Sequence, residues 1–560
     1  MGLTSSLLIG QSALAASQVA LQVTGNNLAN VATVGYHRQS IGLSALGGQQ
    51  IRSGIFVGGG VGVGDIRRQI DPALQARVRD SVASEQAALV NLEVVGHLES
   101  VMNELTGVDL SSELIGFFNA FSEMANNPGA GVTGATVVEQ GSALAQQIRG
   151  MRREFHDLRT QVDNQLRTTV SRADELLTAI AGLNRAITDS EVGDGENGAL
   201  RDQRDGLIDE LSALIDVTVL ERESGSVDVL VDWARVVLGG TARGLKLQFQ
   251  TVNNELRARV VTRTDQEAIN VTSGRIGGLL QQREGSINQT IDELDTLASN
   301  LIFEVNRRHA IGKSASPLTQ VTAQRQVPLA NQTLAFNDPD NDTFANLPFS
   351  AIDGVLTVTI RDQNGFEAST DIDIDLDGRD STGAASFDED MTLEDLRAAL
   401  DGIANLNAEI LPSGQLRLTT DAGYSVSFSE DTSGVLALLG INGYFQGTNS
   451  EDIEVSADLM SHPEHLSLGF TPGGNETALS IAELRDDTVA ALGGRTLSDA
   501  WLSTVGRVGV QGAAAATRAE ALGTVRLSLE AQEASIGAVS ADEEALNLIN
   551  YQQQYQGAAR

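Results

Sequence analysis

A chain of 560 residues predicts two to four domains, because one hydrophobic core rarely serves so long a chain. Its 38 basic and 74 acidic residues leave a net charge of −36, which disfavours nucleic acid and anionic membranes as partners. The chain has no cysteine, which excludes disulfides, zinc–thiolate sites and thiol catalysis.

The N-terminus shows no cleavable secretion signal. Its first strongly basic residue is Arg38, so a positive n-region is missing, and the apolar run Leu7-Leu8-Ile9 is too short for an h-region. No apolar stretch is expected to reach the roughly 18 residues of a membrane span. We therefore expect no membrane partner, and export, if it occurs, by a route that cleaves nothing.

Both ends of the chain predict amphipathic helices. Near the N-terminus a leucine recurs every seven residues, and a small residue or valine follows each leucine by three, as in a heptad seam. The N-terminal seam contains Leu7, Leu14, Leu21 and Leu28, with Gly10, Ser17, Thr24 and Val31 at its second position. The C-terminal seam contains Leu522, Leu529 and Ile536, followed by Val539, Leu546 and Ile549. We expect these helices to pair with each other or with neighbouring copies.

A simple energy comparison predicts how the N-terminal helix behaves alone. Four buried leucines contribute roughly 6 to 12 kcal/mol, whereas ordering some 30 residues costs on the order of 1 kcal/mol or more for each residue. We therefore expect both termini to be disordered in the monomer and to fold on association.

The rest of the chain predicts long helices and two β-rich stretches. Asp71 and Pro72 begin a helix as N-cap and first turn. Strand patterns lie between residues 227 and 263, and a mixed pattern with one helix fills residues 325 to 447. The helices are expected at about 72 to 105, from Ser111 or Ser112 to before Pro128, at 137 to 190 as a coiled coil with a stutter, at 200 to 216, and at 274 to 310.

These patterns predict an α+β multidomain protein. Its N- and C-terminal parts form a discontinuous bundle of long coiled-coil helices, with β-rich elements and an inserted α+β outer domain. The expected domains are residues 1–70 with 511–560, residues 71–325 with 448–510, and the insertion at 326–447.

Two glycine motifs resemble nucleotide-binding loops but fail on context. Gly193 to Gly198 matches G-x-G-x-x-G, yet it follows a helix and carries Asp194 and Glu196, which would repel phosphate. A helix-terminating turn explains it better. Gly312-Lys313-Ser314 ends like a P-loop, but Arg307 stands where the first glycine belongs.

Two further clusters are weak metal signals. The stretch from Asp373 to Gly378 resembles the front of an EF-hand loop, but Ala384 occupies the twelfth position, where a bidentate glutamate belongs. A strand with one acidic, solvated face fits the same alternation, and adventitious weak Ca²⁺ binding is the alternative. His462 and His465 form a two-histidine pair without a third identified ligand. We predict no catalytic residue, no cofactor, no metal site and no enzymatic activity.

Several segments resemble a known family in the same order. The N-terminus, through Ala29-Asn30-Val31-Ala32-Thr33-Val34-Gly35-Tyr36, resembles the axial proteins of the bacterial flagellum. Four more segments narrow the resemblance to the hook-associated protein 1 family. They are LRDQRDGLIDELSALIDVTV, GRIGGLLQQREGSINQTIDELDTLASNLIFEVNRRH, LLGINGYFQGT and ADEEALNLINYQQQYQGAAR. Val34 and His37 depart from the usual proline and serine, which predicts a looser turn.

The resemblance implies a structural protein at the junction between hook and filament, assembled by packing of its terminal helices. It implies export through the flagellar type III apparatus, with a transient cytoplasmic stage. The implied partners are further copies in a ring, hook protein, hook-associated protein 3 (FlgL) and the export chaperone FlgN. Two alternatives stay open: another flagellar axial protein such as hook, or a secreted adhesin that binds through residues 326–447.

We expect the assembly site to lie in the terminal seams. Asn26, Asn27 and Asn30 interrupt an apolar helix, and buried amides fix register and partner choice at a cost in stability. The alternative is that they are exposed or cap the helix before Gly35. The predicted assembly residues are Leu7, Leu14, Leu21, Asn26, Asn27, Leu28, Asn30, Gly35, Tyr36, Arg38, Leu522, Leu529, Ile536, Leu546, Ile549, Tyr551 and Tyr555.

Overall fold

The computed structural model describes residues 2–52, 55–102, 109–127, 131–191, 195–252, 255–345, 347, 349–471 and 474–560. The helices in this part of the chain are α1 (Gly2–Ala29), α2 (Pro72–Met102), α3 (Leu110–Asn126), α4 (Gly131–Ser190), α5 (Gly198–Leu214), α6 (Gly274–Gln282), α7 (Asn288–Ala310), α8 (Asp342–Ala345), α9 (Leu393–Asp401), α10 (Val435–Leu439), α11 (Ala457–Ser461), α12 (Glu476–Glu483), α13 (Leu497–Gly537) and α14 (Ala541–Ala559).

The strands, mostly short and antiparallel, are β1 (Gln39–Ala45), β2 (Gln49–Arg52), β3 (Ile55–Val57), β4 (Val61–Arg68), β5 (Thr218–Glu221), β6 (Val227–Val231), β7 (Ala234–Leu238), β8 (Thr241–Ala242), β9 (Leu245–Val252), β10 (Glu255–Thr262), β11 (Ala268–Ile269), β12 (Lys313–Ser314), β13 (Gln320–Thr322), β14 (Gly354–Asp362), β15 (Glu367–Ile374), β16 (Leu406–Ile410), β17 (Leu416–Thr420), β18 (Tyr424–Asp431), β19 (Phe445–Gln446), β20 (Glu454–Val455) and β21 (Ser467–Gly469). The protein is therefore a mixed helix and strand structure with long helices at both ends.

The chain forms two compact units, each built from separated segments. The first unit contains Met1–Gly96, Thr160–Ser286 and Gln511–Arg560, and the second contains His97–Arg159 and Ile287–Val510. Helix-rich N- and C-terminal segments contribute to the first unit, so the two chain ends meet within it. The predicted three-domain division stays a prediction.

The first unit joins its helices to small antiparallel sheets. Strands β5 to β8 pair in chain order, and β9 and β10 form a hairpin with β11 at its edge. Asn184 of α4 is fully buried, and its amide nitrogen donates to the carbonyls of Val227 and Gly239 at 2.8 Å each. Its Oδ1 accepts from the Val227 amide at 3.1 Å. One side chain thus satisfies backbone groups that the sheet leaves free, as buried polar groups require.

A π-helical turn, Arg283–Ile287, separates α6 from α7. The Arg283 side chain is 1% exposed, and its Nε donates to Asp163 Oδ1 at 2.5 Å. Its Nη1 donates to the Leu256 carbonyl at 2.7 Å. A π turn shifts the side chains of a helix by about one position, and here it coincides with a buried arginine that ties the helix to α4 and β10.

A hydrophobic core in the second unit gathers residues between Ala310 and Ile441. It lies among two three-stranded sheets, ordered β15-β14-β18 and β13-β17-β16, and the helix α9. Thr392 and Asp395 form a reciprocal capping box at the start of α9. Its apolar residues Leu393, Leu396 and Leu400 are buried, as the 3-4 spacing of the predicted helix requires.

An aromatic cluster in the second unit explains the segment LLGINGYFQGT. Tyr444 is fully buried, with its ring 5.5 to 5.6 Å from those of Phe117 and Phe121 on α3. Its hydroxyl donates to the Val137 carbonyl of α4 at 2.7 Å. A Cβ at Gly141, the neighbouring position on α4, would lie 2.0 Å from that hydroxyl. The close approach of tyrosine to helix therefore requires glycine at 141.

Most helices occur where the sequence predicts them. The apolar residues of α4 from Leu144 to Ile180 that set its predicted coiled-coil stripe are all buried. Asp71 caps α2 as expected, because its Oδ1 accepts from the Ala73 and Leu74 amides. The expected end of that helix at Leu105 and the residues Gly193 and Asp194 of the glycine motif lie outside the described residues.

Helix α3 begins at Leu110, next to its expected start at Ser111 or Ser112, and Asp109 caps it, because the Asp109 carboxylate accepts from the Ser112 amide at 2.7 Å. Two expectations need correction. The termini are helices that pack on each other within the chain, so each finds the apolar partner that the isolated-helix comparison left out. The stretch Thr4–Ala29 is long and apolar enough to cross a membrane, contrary to expectation, because alanines and valines between the leucines raise its hydropathy. Length and composition alone do not distinguish such a span from a helix packed on protein.

His309 of α7 makes the second unit sensitive to acid. The ring is fully buried, and burial lowers its pKa from 6.5 to about 4. Its Nδ1 lies 2.8 Å from the Asn442 carbonyl and its Nε2 accepts from the Ser467 amide at 3.0 Å. The neutral ring alone fits this pair of partners, because Nδ1 must donate and Nε2 must accept.

We expect the free energy of unfolding of the second unit to fall as the pH falls from 6.5 through 4. The unfolded chain binds a proton at His309 in this range and the folded chain does not, a difference on the order of 3 kcal/mol. Denaturation followed by fluorescence of Trp501, which is 1% exposed and lies in this unit, measures it, because Trp233 is already 90% exposed. His309→Gln should flatten the pH dependence, and the control His97→Gln should keep it. An unchanged slope in His309→Gln would contradict the assignment.

Candidate functional site at the chain termini

The two terminal helices pack antiparallel in the first unit. Asn27 of α1 contacts Glu544 of α14, while a Cβ at Gly10 would lie 3.5 Å from the carbonyl of Ala558. Helix α1 also contacts β1 and β4. Its buried residues are Ala16, Ser17, Ala20, Val23, Thr24 and Asn27. The buried stripe thus follows the small residues of the seam, which permit close approach of backbones.

The seam leucines lie beside this stripe rather than in it. Leu14, Leu21 and Leu28 are half-buried, and Leu7 is 71% exposed. The packing within the chain therefore leaves the apolar leucine edge of α1 partly open to solvent.

Asn27 of α1 is 1% exposed, and its side chain makes four hydrogen bonds. Its Nδ2 donates to the Gln39 carbonyl at 2.9 Å and to Glu544 Oε2 at 3.4 Å. Its Oδ1 accepts from the Gln39 amide at 3.0 Å and from the Tyr36 hydroxyl at 2.8 Å. The Asn27 side chain therefore bonds the end of the turn, at Gln39, to α1, and its Nδ2 also contacts Glu544 of α14.

Glu544 brings the C-terminal helix to this amide. Its side chain is 2% exposed and accepts from Arg38 Nε at 2.7 Å, while Arg38 also pairs with Glu543 at 3.1 Å. The Arg38 amide donates to the Gly537 carbonyl at the end of α13. A buried carboxylate needs such a partner, because an unpaired charge in a protein interior is strongly destabilising. We call the group Asn27, Tyr36, Arg38, Gln39 and Glu544 the terminal clasp.

The turn between α1 and β1 is held by local bonds. Gly35 adopts φ +76°, and Asn26 Nδ2 donates to the Tyr36 hydroxyl at 3.2 Å. Burial, together with the carboxylates of Asp202 and Glu544, raises the pKa of Tyr36 to about 12. The phenol therefore stays protonated at physiological pH and can donate to Asn27. Asn30 is half-buried and bonds only within the turn, to Asn26 and Thr33.

A second polar group lies under the turn. The Arg68 guanidinium donates to Asp202 at 2.8 Å and Asp205 at 2.7 Å, and all three side chains are at most 10% exposed. Burial by itself lowers the pKa of Arg68, but the two carboxylates outweigh it and raise that pKa. His37 Nδ1 lies 2.8 Å from Asp202 Oδ1, and its Nε2 lies 3.2 Å from the Gln75 amide nitrogen. His37, a departure from the usual serine, thus anchors the turn that was expected to be looser.

The other predicted assembly residues are spread over α13 and α14. Leu529 is buried with Leu74 and Val78 of α2, and Leu522 and Tyr551 are half-buried. Ile536, Leu546, Ile549 and Tyr555 are each at least 40% exposed. Helix α13 ends at Gly537, where a Cβ would lie 3.0 Å from the Gln69 carbonyl and 3.2 Å from the His37 ring. The C-terminal seam is therefore two helices, with Val539 in the break between them.

Glu544, Gln39 and the acidic pair Asp202 and Asp205 are absent from the predicted assembly residues. Asp542, Glu543 and Glu544 all stand at the start of a helix, where acidic residues are favoured by the helix dipole. Because the helix dipole explains all three equally well, the sequence gives no sign that Glu544 alone is buried. The alternating charges of the segment RDQRD could have indicated the acidic pair. A helix with arginine and aspartate on one face needs ion-pair partners when that face is buried.

Comparisons with known proteins show similarity to flagellar proteins along most of the chain. A family model described as the flagellar hook-associated protein FlgK helical domain matches residues 95–317, and one described as the flagella basal body rod protein matches residues 7–37. Flagellar hook-associated protein 1 of Salmonella typhimurium is 24% identical over 555 residues, covering 97% of this chain and 95% of that protein. The chain belongs to the flagellar hook-associated protein 1 family.

Other relatives of the hook-associated protein 1 family differ in how much they cover. The Escherichia coli K12 protein is 22% identical over 97% of this chain and 94% of its own length. The Bacillus subtilis protein is 32% identical over 225 residues, 38% of this chain and 43% of that protein. The solved flagellar hook junction protein FlgK from Burkholderia pseudomallei matches at a TM-score of 0.51 and 15% identity. It covers 82% of this chain and 100% of its own, so the fold is shared.

Removing the Asn27 amide should release the terminal clasp. Asn27→Leu leaves the Gln39 amide and carbonyl without partners, and we expect it to lower the free energy of unfolding of the first unit by about 3 kcal/mol. Backbone amide exchange along α14 and around Gln39 should become faster. The measurement is exchange read by region, with urea denaturation for the free energy.

Asn30→Leu is the matched control, since it is the same change on the same helix end at a half-exposed site with local bonds. We expect it to alter stability by less than about 0.5 kcal/mol. Equal losses in the two variants would mean that Asn27 holds nothing beyond its own turn.

Proposed function

We propose that this chain is a structural subunit of the bacterial flagellum at the junction between hook and filament, and that it assembles through its terminal helices. Family membership supports the location. The observation that supports the mode of assembly is the apolar surface that α1, α13 and α14 leave uncovered within the first unit. A monomer that exposes such residues on both chain ends has a use for them in contacts with other chains.

The uncovered residues are large and lie on the same helices that form the terminal clasp. They are, with their exposed fractions, Leu7 (71%), Leu8 (63%), Val525 (49%), Leu527 (59%), Ile536 (43%), Leu546 (63%), Ile549 (50%) and Tyr555 (40%). Burying a leucine stabilises by about 1.5 to 3 kcal/mol. A few of these side chains covered in each contact supply enough free energy for association, because the helices are already ordered against each other.

The terminal clasp sets which faces are presented. Asn27 and Glu544 fix the antiparallel register of α1 and α14, and a slip of one residue would take the buried amide away from Gln39. A polar group that is satisfied in one register only is the usual device for choosing one packing of helices. In this proposal the small-residue stripe packs within the chain, and the leucine edge packs between chains.

The partners follow from the position in the flagellum. Further copies of the chain, hook protein and hook-associated protein 3 (FlgL) would cover the open edges of the terminal helices. Export through the flagellar type III apparatus would require the chain to pass unfolded, and a chain without cysteine cannot be held by a disulfide on that route. The export chaperone FlgN would cover an apolar terminal helix in the cytoplasm, before the clasp closes. The chain has no enzymatic role in this proposal.

The predicted inserted domain at 326–447 would lie on the outside of such an assembly. Most residues of the buried cluster between Ala310 and Ile441 come from this region, which supports a separate fold for it, although Ala310, Leu318 and Ala323 of the preceding segment complete that core. The first unit, which contains the terminal helices, would then make the contacts between chains, and a charge added on the insertion should not disturb them.

Leu7→Asp combined with Leu546→Asp should abolish assembly without unfolding the monomer. Both leucines are more than 60% exposed, so we expect the midpoint of thermal unfolding to change by less than about 2 °C. In a flagellated host whose own homologue is deleted, the double variant should be exported into the medium, while electron microscopy should show hooks without filaments.

Leu329→Asp is the matched control, because Leu329 is 82% exposed and lies in the predicted insertion. It should support normal filaments. Normal junctions in the double variant would overturn assembly by the terminal helices, and absent filaments in both variants would show that added charge, rather than the terminal surface, causes the defect.

A further inference from the structure

Three aspartates converge where β15 ends in the second unit. Asp375, Asp377 and Asp390 each place a carboxylate oxygen within 4.8 Å of the other two. Asp375 and Asp377 come from the exposed alternation that follows the strand, whereas Asp390 returns from the far end of the loop just before α9. We propose that this cluster is a binding site for a divalent cation, and that Ca²⁺ is the ion it fits.

The strongest indication is the buried residue of the three. Asp390 is 1% exposed. Its Oδ2 accepts from Asn337 Nδ2 at 2.7 Å and from the Gly378 amide at 3.1 Å. Its Oδ1 is buried and has no hydrogen-bond partner. A buried carboxylate oxygen without a hydrogen-bond donor is destabilising. Both donors bond to Oδ2, so Oδ1 is free to bind a cation.

The charge of the cluster is also uncompensated. None of the ion pairs between described residues involves Asp375, Asp377 or Asp390. Asn337, which orients Asp390, adds a second buried oxygen without a partner, its Oδ1. Three carboxylates held together without a lysine or arginine repel one another, and a bound cation removes that repulsion.

The ligand chemistry favours Ca²⁺ among common ions. All candidate ligand atoms are oxygens, which hard cations prefer, and neither histidine nor cysteine contributes, as zinc sites require. Ca²⁺ accepts irregular geometry with water completing the shell, whereas Mg²⁺ demands a near-octahedral one. Two of the three aspartates are exposed, so the affinity should lie in the weak class of extracellular Ca²⁺ modules, with Kd of about 10⁻⁴ to 10⁻³ M.

The site also accounts for the departure from the EF-hand pattern. Ala384 stands where an EF-hand carries its closing glutamate. In the folded chain Asp390, six residues further on, closes the cluster instead. The Met391 amide donates to the Asp375 carbonyl at 2.8 Å, which holds the two ends of the loop together.

The test is calorimetric titration of the full chain, after treatment with a chelator, with CaCl₂ and in parallel with MgCl₂. We expect one Ca²⁺ site with at least about tenfold weaker Mg²⁺ binding, and a rise in the Trp501-reported unfolding temperature of about 3 °C at saturating Ca²⁺. Tryptic cleavage after Arg379, an exposed residue inside the loop, should slow in Ca²⁺. Asp375→Asn with Asp377→Asn should abolish all three effects, and it should fold because both positions are exposed.

Glu430→Gln is the control, since it removes one exposed charge from β18, at the opposite edge of the same sheet, and should leave Ca²⁺ binding intact. Asp390→Asn should also lose Ca²⁺ binding. If Asp390→Asn fails to fold, the double variant Asp375→Asn with Asp377→Asn decides the question. No heat of binding up to about 10 mM CaCl₂ would overturn the proposal, as would Ca²⁺ binding that survives in the double variant.

Discussion

The structure of the first unit depends on one buried amide. Asn27 bonds at once to the backbone of Gln39, to the Tyr36 hydroxyl and to Glu544, and Glu544 comes from the far end of the chain. Because a buried polar group without a partner is costly, the helix α1, the turn at Gly35 and the helix α14 must all be in place together. The same reasoning applies to Glu544, whose buried charge needs Arg38. The two chain ends are thus held together by the need of buried polar groups for hydrogen-bond and ion-pair partners, as well as by buried apolar area.

The terminal helices use different residues for their contacts within the chain and for the surface that they expose. The terminal clasp and the small-residue stripe make their contacts within the chain, whereas the large apolar residues on the same helices stay exposed to solvent. Leu7 and Leu546 lie on opposite partners of the antiparallel pair and are both more than 60% exposed. The contacts within the chain keep the terminal helices ordered while their outer apolar residues remain exposed, which is the arrangement that the proposed assembly requires.

In the second unit, too, buried polar side chains are held by specific hydrogen-bond partners. His309 and Tyr444 are fully buried and each makes its hydrogen bonds to backbone groups, so they hold loops rather than perform chemistry. Burial drives the pKa of the histidine down, which removes its charge at neutral pH. Asp390 differs from His309 and Tyr444, because one of its buried oxygens is left without a partner in a cluster of like charges.

The sequence by itself determined the helices, the strands and the family. The stripe of α4, the cap of α2 and the alternation of β9 and β10 follow from local periodicity, which is written in neighbouring residues. It also predicted an assembly site at the chain ends that includes Asn27 and Arg38, and this stays a prediction. It did not reveal that Glu544 is buried, that Ser17 and Thr24 rather than the leucines line the internal contact, or that Asp390 closes the loop begun by Asp375. Each of these depends on a partner far away in the chain, and only the tertiary structure decides which face of a helix is covered and which charge is left without water.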